Sequence, residues 1–229
     1  VVLRLGIGAV VLGLVARPSL RGHTAGAWRT VLLFGVALGA MNWSFYGSLG
    51  RLPIGVAVTI EFVGPLTLAA VLSRRRRDLG AVLAAALGVL LISQALTVPW
   101  RELDLLGIGL ALLAGACWAA YVVFSQRTGA AFPALDGLAI AMVVALAVVF
   151  PAGIRTAGEW DGPILAKGAA VAVLSSVLPY SFELLALRRL SQRVFGILLS
   201  LEPAFAALAG LLVLGQRLSP LQLVGMGFV

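Results

Sequence analysis

Residues 54–73 read IGVAVTIEFVGPLTLAAVLS, and this stretch decides the class of fold. It contains a single charged side chain, Glu61, and a Gly64–Pro65 pair near its centre. A helix of about 20 apolar residues is as long as the hydrocarbon core of a bilayer is thick, whereas a membrane-crossing strand needs only about ten. The stretch therefore predicts a transmembrane α-helix.

Similar apolar runs occupy the rest of the chain. They are Val1–Ala16, Trp28–Leu49, Leu79–Thr97, Leu105–Phe124, Leu135–Ala152, Ile164–Leu187, Val194–Leu214 and the short Leu221–Val229. The gaps between neighbouring runs contain at most 11 residues, which leaves no room for a domain outside the membrane. Only helices and closed barrels satisfy their backbone in lipid, and runs of this length are too long for barrel strands. We therefore expect an all-α, polytopic membrane helix bundle.

The composition agrees with a membrane protein and excludes several other classes of protein. Hydrophobic residues make up 61% of the 229 residues and charged residues 11%, against about 25% charged in an average soluble domain. One cysteine, Cys117, and one histidine, His23, cannot form a disulfide, a zinc site or a haem ligand pair. The sequence also lacks the glycine-rich loop that binds ATP and the glycine–serine turn of hydrolases. We therefore predict no cofactor, no metal site and no enzymatic activity.

Basic residues are distributed unequally between alternate gaps, and this inequality predicts the orientation in the membrane. The richer set of gaps contains Arg17, Arg21, Arg29, Arg74, Arg75, Arg76, Arg77, Arg127, Arg188, Arg189 and Arg193, and the poorer set contains Arg51, Arg101, Arg155, Lys167 and Arg217. Lys and Arg accumulate in cytoplasmic loops, so the richer set is expected in the cytoplasm. This pattern also explains the net charge of +8 without nucleic acid as a partner.

Two segments resemble one another at an offset of 138 residues. Residues 51–56 (RLPIGV) begin a span that contains Pro65, and residues 189–194 (RLSQRV) begin a span that contains Pro203. The charge count places the first segment outside and the second inside, so the two copies are inverted. Inversion requires an odd number of spans in each repeat, and five steps separate the two proline-bearing spans. We expect an inverted repeat of 5+5 helices, which is typical of secondary transporters.

This arrangement divides the chain into two parts. Residues 1–98 are the predicted first repeat, which is incomplete and has four helices. Residues 99–229 are the predicted second, inverted repeat. By the same count, we expect the first helix of the bundle to be missing from this chain and the tenth to be truncated.

Five motifs resemble those of a known family, in the same order along the chain. They are residues 39–46 (GAMNWSFY), 55–66 (GVAVTIEFVGPL), 114–121 (AGACWAAY), 178–183 (LPYSFE) and 200–204 (SLEPA). Together they resemble the EamA family of the drug/metabolite transporter superfamily, and within it most closely the inner-membrane threonine and homoserine exporters. The resemblance implies ten helices with both termini in the cytoplasm. It also implies a multi-pass location in the cell inner (plasma) membrane.

The resemblance implies a function as well. We expect a secondary active transporter that exports small polar metabolites, amino acids such as threonine and homoserine, by alternating access with proton coupling. The alternative within the superfamily is an exporter of drug-like or cationic compounds. A lipid-modifying enzyme and a scaffold that transports nothing are the other classes considered. The expected partners are a small-molecule substrate, protons and the lipid bilayer, with a homodimer left open.

Three acidic side chains lie well inside apolar runs, namely Glu61, Glu183 and Glu202. An acidic side chain such as Asp at the bilayer centre costs about 2.5–3.5 kcal/mol or more, so such residues mark substrate or proton pathways. The offset of 138 places Glu202 opposite Gly64, one helical turn from Glu61 and on nearly the same helix face. The alternative is a neutral carboxyl group that holds helices together by hydrogen bonds.

Prolines are expected to interrupt the spans at Gly64, Pro65, Pro179 and Pro203. Pro65 cannot donate to the carbonyl of Glu61, and Pro203 cannot donate to the carbonyl of Leu199. Each proline therefore releases a backbone acceptor that a transporter can use in its cavity. A static kink is the alternative interpretation.

Other polar side chains lie at matching depths in their spans: Asn42, Tyr46, Trp118, Tyr121 and Tyr180. They are candidates for hydrogen bonds to a zwitterion and for aromatic contacts with its ammonium group. Arg4 lies in the first run, where it can pair with an acid, bind a substrate carboxylate or extend to the outer interface. The sequence leaves these alternatives for Arg4 open.

Overall fold

The computed structural model describes residues 1–99, 101, 103–154 and 160–229, and within them every regular element is helical. The helices are α1 (Val2–Ala16), α2 (Ala25–Leu49), α3 (Ile54–Leu72), α4 (Arg76–Ile92), α5 (Leu105–Ala131), α6 (Asp136–Gly153), α7 (Gly162–Ala172), α8 (Leu178–Leu187), α9 (Gln192–Leu198), α10 (Leu201–Leu214) and α11 (Pro220–Met226). A π-helical segment, Val173–Val177, joins α7 to α8. The prediction of an all-α fold is confirmed.

Among the described residues, six helical segments are long and apolar enough to cross a membrane. They are Ala25–Leu49, Ile54–Leu72, Leu105–Ala131, Asp136–Gly153, Gly162–Leu187 and Gln192–Leu214, and α1 is a shorter apolar helix. The predicted runs and the observed helices differ mainly at their ends. For example, α5 continues seven residues beyond the predicted end at Phe124, because Gln126 and Arg127 end the apolar run but favour a helix.

The chain folds into two compact units, each built from non-contiguous segments. Unit 1 contains Val1–Trp43 and Ala120–Leu190, and unit 2 contains Ser44–Ala119 and Ser191–Val229. Helices α2 and α5 therefore contribute to both units.

Unit 1 is organised around α1, which packs against α6 and α7. Small residues allow α2 to approach α6 closely: a Cβ atom added at Gly35 would lie 2.7 Å from the carbonyl oxygen of Ala141, and one at Gly39 would lie 2.9 Å from that of Ala145. Close helix packing through glycine is common where lipid provides no hydrophobic drive between helices. Gly35 and Gly39 thus serve packing.

Unit 2 is organised around α3 and α4. Helix α3 packs against α4 and α9, and α4 also packs against α10 and α11. Helices α3 and α5 meet backbone to backbone at Gly64 and Gly115, where a Cβ atom on either residue would overlap the other helix. This crossing brings the centre of α3, with Glu61, against α5.

The structure differs from the predicted interruptions in α3. This helix is continuous through Gly64 and Pro65, so no break occurs there. The carbonyl oxygen of Glu61, which Pro65 cannot engage, lies against Gly115 instead; a Cβ atom there would be 2.5 Å from it. Neighbouring helices can compensate for a proline in this way, so the helix need not break.

The other two prolines accompany local irregularities. Helix α9 ends at Leu198 and α10 begins at Leu201, just before Pro203. The carbonyl of Leu199 is not left free, since it accepts the backbone N–H of Glu202 at 2.9 Å. Pro179 lies two residues after the π-helical segment, in the first turn of α8.

Candidate functional site

The nine candidate residues for a substrate or proton pathway fall into two groups, one in each unit. Unit 1 contains Arg4, Asn42, Tyr121, Tyr180 and Glu183, which we call the polar network. Unit 2 contains Tyr46, Glu61, Trp118 and Glu202, of which Glu61 and Glu202 are called the acid pair.

The polar network begins at Arg4 of α1. Its Nη2 donates a hydrogen bond to Oδ1 of Asn42 on α2, which is buried. The Nδ2 atom of Asn42 donates to the carbonyl oxygen of Leu38 at 2.9 Å and to the hydroxyl oxygen of Tyr180 at 3.3 Å. The amide orientation of Asn42 is therefore defined by three partners. Its oxygen faces the guanidinium, and its nitrogen faces α8.

Two tyrosines extend the network to Glu183. The rings of Tyr121 and Tyr180 are tilted, with centroids 5.8 Å apart, and Tyr121 is 0% exposed. The hydroxyl of Tyr121 is buried without a hydrogen bond among the described residues, and it lies within electrostatic range of Glu183. Tyr180 and Glu183 are three residues apart on α8, so they share one helix face. Unit 1 thus contains a guanidinium, two phenols and a carboxylate in the polar network.

The acid pair lies in unit 2. Glu61 is buried, with 7% of its surface exposed, whereas Glu202 on α10 is exposed and lies within electrostatic range of Glu61. Ion pairs to either acid are absent among the described residues. Two carboxylates repel each other when both are ionised, and apolar surroundings strengthen that repulsion. The pair is therefore suited to holding a proton.

The aromatic candidates of unit 2 differ in their surroundings. Trp118 is 8% exposed, and its ring packs edge-on against the ring of Phe62, with centroids 4.9 Å apart. Phe62 is the residue that follows Glu61 in the sequence. Tyr46 is 43% exposed, and its ring packs edge-on against Phe45. The structure thus places Trp118 in the packed interior near the acid pair and Tyr46 at the surface.

Two ion pairs of unit 2 were not predicted from the sequence. Arg51 and Asp104 are 3.2 Å apart in the gaps assigned to the outer side, and Arg193 and Asp78 are 2.8 Å apart in those assigned to the cytoplasm. Asp104 also accepts the backbone N–H of Gly107 at 2.7 Å, and this bond, followed by Arg51, lowers the pKa of Asp104. The sequence shows an acid at the start of α4 (Asp78) and one just before α5 (Asp104), which could have indicated ion pairs. Their arginine partners are distant in sequence and could not be identified from it.

The described part of the chain contains no group of three or more His, Cys, Asp or Glu side chains arranged to hold a metal ion.

Comparisons with known proteins identify relatives over the whole chain. It is 44% identical to the threonine/homoserine exporter RhtA of Escherichia coli (strain K12) over 231 residues, which is 99% of this chain and 77% of that protein. It is 43% identical to the protein of that name from Salmonella typhimurium (strain LT2), over 98% of this chain and 76% of that protein. A solved crystal structure with 18% sequence identity has the same fold, with a TM-score of 0.77 over 99% of this chain and 82% of that one.

The family assignment rests on two agreeing comparisons. Residues 105–229, which are 125 of the 229 residues, match the model of the EamA-like transporter family. The RhtA proteins are 43–44% identical to this chain, which covers about three quarters of their length. Together with the apolar helices, these matches confirm the resemblance seen in the sequence: the chain belongs to the EamA-like transporter family, a family of multi-pass membrane transporters.

Proposed function

We propose that this protein exports small polar amino acids, such as threonine and homoserine, across the inner membrane by proton-coupled alternating access. The observation that carries the proposal is the 44% identity to a threonine/homoserine exporter over 99% of this chain. The polar network supports it, because a guanidinium and a carboxylate inside one unit suit a zwitterion. The acid pair supports proton coupling, because two neighbouring carboxylates can hold a proton and release it.

Helix pairing within each unit supports the 5+5 inverted repeat, with residues 1–98 and 99–229 as the two copies. Adding 138 to the bounds of α1, α3 and α4 gives the regions of α6, α9–α10 and α11, and α1 contacts α6, α3 contacts α9 and α4 contacts α11. Asn42 and Tyr180, which are hydrogen-bonded, are also 138 residues apart. Contacts between equivalent positions are expected along a two-fold axis, where secondary transporters place their sites.

Alternating access is supported by the Arg193–Asp78 ion pair, because the positions related to it by the repeat cannot form an ion pair. The offset relates Arg193 to Gly55, and Asp78 to Gln216, and neither of these counterparts is charged. If the two repeats exchange conformations, the Arg193–Asp78 ion pair is replaced by a Gly55–Gln216 contact. The ion pair then exists in one state only, and it favours closure at the end assigned to the cytoplasm.

Neutralising this ion pair should raise the apparent affinity for cytoplasmic substrate. A partly exposed pair contributes about 0.2–1 kcal/mol, so in Asp78→Asn and Arg193→Gln the apparent KM at the cytoplasmic side should fall up to about fivefold. The exchanged pair, Asp78→Arg with Arg193→Asp, should restore it. The measurement is uptake by inside-out vesicles, with Arg76→Gln as a control for loss of charge on α4. An unchanged KM in both single variants contradicts the state-specific role.

Substrate transport itself can be tested in inside-out vesicles that contain the protein. Radiolabelled threonine should accumulate several-fold above vesicles without it when the lumen is acidic, and the accumulation should collapse when the pH gradient is dissipated. Homoserine should compete. Accumulation of organic cations without any amino-acid flux would favour the other substrate class, and no flux of either kind would overturn the proposal.

A further inference from the structure

The polar network has opposite formal charges at its two ends, and both act on the same phenol. Arg4 and Asn42 interact with the Tyr180 hydroxyl, which is also within electrostatic range of Glu183. Tyr121 lies beside Tyr180 and is also within electrostatic range of Glu183. Unit 1 thus contains a positive group on α1 and a negative group on α8, both within electrostatic range of Tyr180, and Glu183 lies one helical turn from Tyr180.

We propose that Arg4 binds the carboxylate of the transported substrate and Glu183 binds its ammonium group, with Asn42 as the positioning residue for Arg4. This inference rests on the proposed function and assigns the ends of the substrate within it. A guanidinium is planar, stays charged and matches a carboxylate with two parallel N–H donors. A zwitterion brings no net charge into the membrane, and its negative group can pair with Arg4 and its positive group with Glu183.

The position of Asn42 explains why it acts through Arg4. Its Nδ2 donates to the Leu38 carbonyl and the Tyr180 hydroxyl, which fixes the amide plane so that Oδ1, the acceptor atom of the side chain, faces the guanidinium. That contact sets the plane of the guanidinium relative to Tyr180. Loss of Asn42 should therefore misalign Arg4 without removing its charge.

The chemical consequence is a requirement for a carboxylate and an ammonium group on the same carbon atom of the substrate. An amino alcohol such as threoninol lacks the carboxylate, and 3-hydroxybutyrate lacks the ammonium group. Each compound lacks the charged group that one of the two side chains would bind, and a lost charge-assisted contact costs more than a lost neutral contact. Both compounds should compete with threonine at least about 100-fold more weakly than homoserine does.

The test is competition for threonine exchange by the detergent-solubilised and reconstituted protein. Arg4→Gln should raise KM for threonine about 10- to 150-fold and abolish the discrimination against threoninol, because a charged hydrogen-bond donor is lost. Glu183→Gln should instead weaken discrimination against 3-hydroxybutyrate. Asn42→Ala should raise KM less than Arg4→Gln, and it should keep threoninol weaker than threonine. Arg4→Lys should recover part of the selectivity that Arg4→Gln loses.

The control is Arg29→Gln, which removes an exposed arginine from α2 and should change neither KM nor selectivity. If the protein exchanges threonine but Arg4→Gln retains the wild-type preference over threoninol, the assignment of Arg4 is wrong and the proposed function stands. If Arg4→Gln does not fold, Arg4→Lys and Glu183→Gln decide the matter, since unchanged selectivity in both also overturns the assignment. If the wild-type protein exchanges no amino acid, the proposed function fails first.

Discussion

Glu61→Gln and Glu202→Gln should each abolish accumulation driven by a pH gradient. Glutamine keeps the shape and hydrogen bonding of the side chain but cannot carry a proton. The two acids lie within electrostatic range in unit 2, and Glu61 is buried. If they hold the coupling proton, gradient-driven flux should fall to the level of empty vesicles, about 100-fold or more. Threonine binding and passive exchange should stay within about threefold of wild type.

The measurement is flux per folded molecule for each single variant and for the double variant. Asp104→Asn is the matched control, because it also replaces an acid by its amide but lies before α5, outside the span. A structural acid would behave differently: glutamine would preserve transport, and leucine would lower the yield of folded protein. Wild-type flux in both glutamine variants would mean that the acid pair only holds helices together.

Gly115→Ala should reduce the stability of the folded protein more than other substitutions of comparable size. The new Cβ atom would lie 2.5 Å from the carbonyl oxygen of Glu61, and that oxygen belongs to the backbone of α3. The clash cannot be relieved by a side-chain rotation, so the helices must separate. Overpacking costs about 1–3 kcal/mol, which corresponds to a Tm lower by about 2–12 °C. Gly64→Ala should have an effect at least as large, since its Cβ would overlap the Gly115 carbonyl.

Gly109→Ala provides the control on the same helix, because no atom lies within 4 Å of the position of its new Cβ. Its Tm should equal or slightly exceed that of the wild-type protein, given the higher helix propensity of alanine. The measurement is thermal unfolding in detergent, followed by size-exclusion chromatography. Equal Tm values for the variants at positions 115 and 109 would show that the α3–α5 crossing is not close-packed.

The repeat offset shows how far sequence comparison alone can reach. It related Glu202 to the position one turn from Glu61, and the structure places the two acids within electrostatic range. The offset could not show that Asn42 and Tyr180, which it also relates, are hydrogen-bonded to each other. Two residues at equivalent positions of a repeat touch each other only if they lie near the two-fold axis that relates the repeats, and the sequence does not give the position of that axis.

The amino-acid sequence by itself determined that the chain is a bundle of membrane helices and approximately where each helix lies. Lipid cannot hydrogen-bond to the backbone, so an apolar run of span length must be helical. The same rule marked Glu61 as exceptional, since an acid in such a run is costly. These conclusions depend only on the composition of each span.

The tertiary structure decided which face of each helix is buried and which polar groups meet. In lipid, the outward and inward faces of a helix are both apolar, so the periodicity of hydropathy along the helix does not reveal which face is buried. For this reason the sequence did not distinguish buried Trp118 from exposed Tyr46, or assign Asn42 as the partner of Arg4. Likewise, the continuity of α3 through Pro65 depends on Gly115 of another helix, and a contact between helices is a property of their packing.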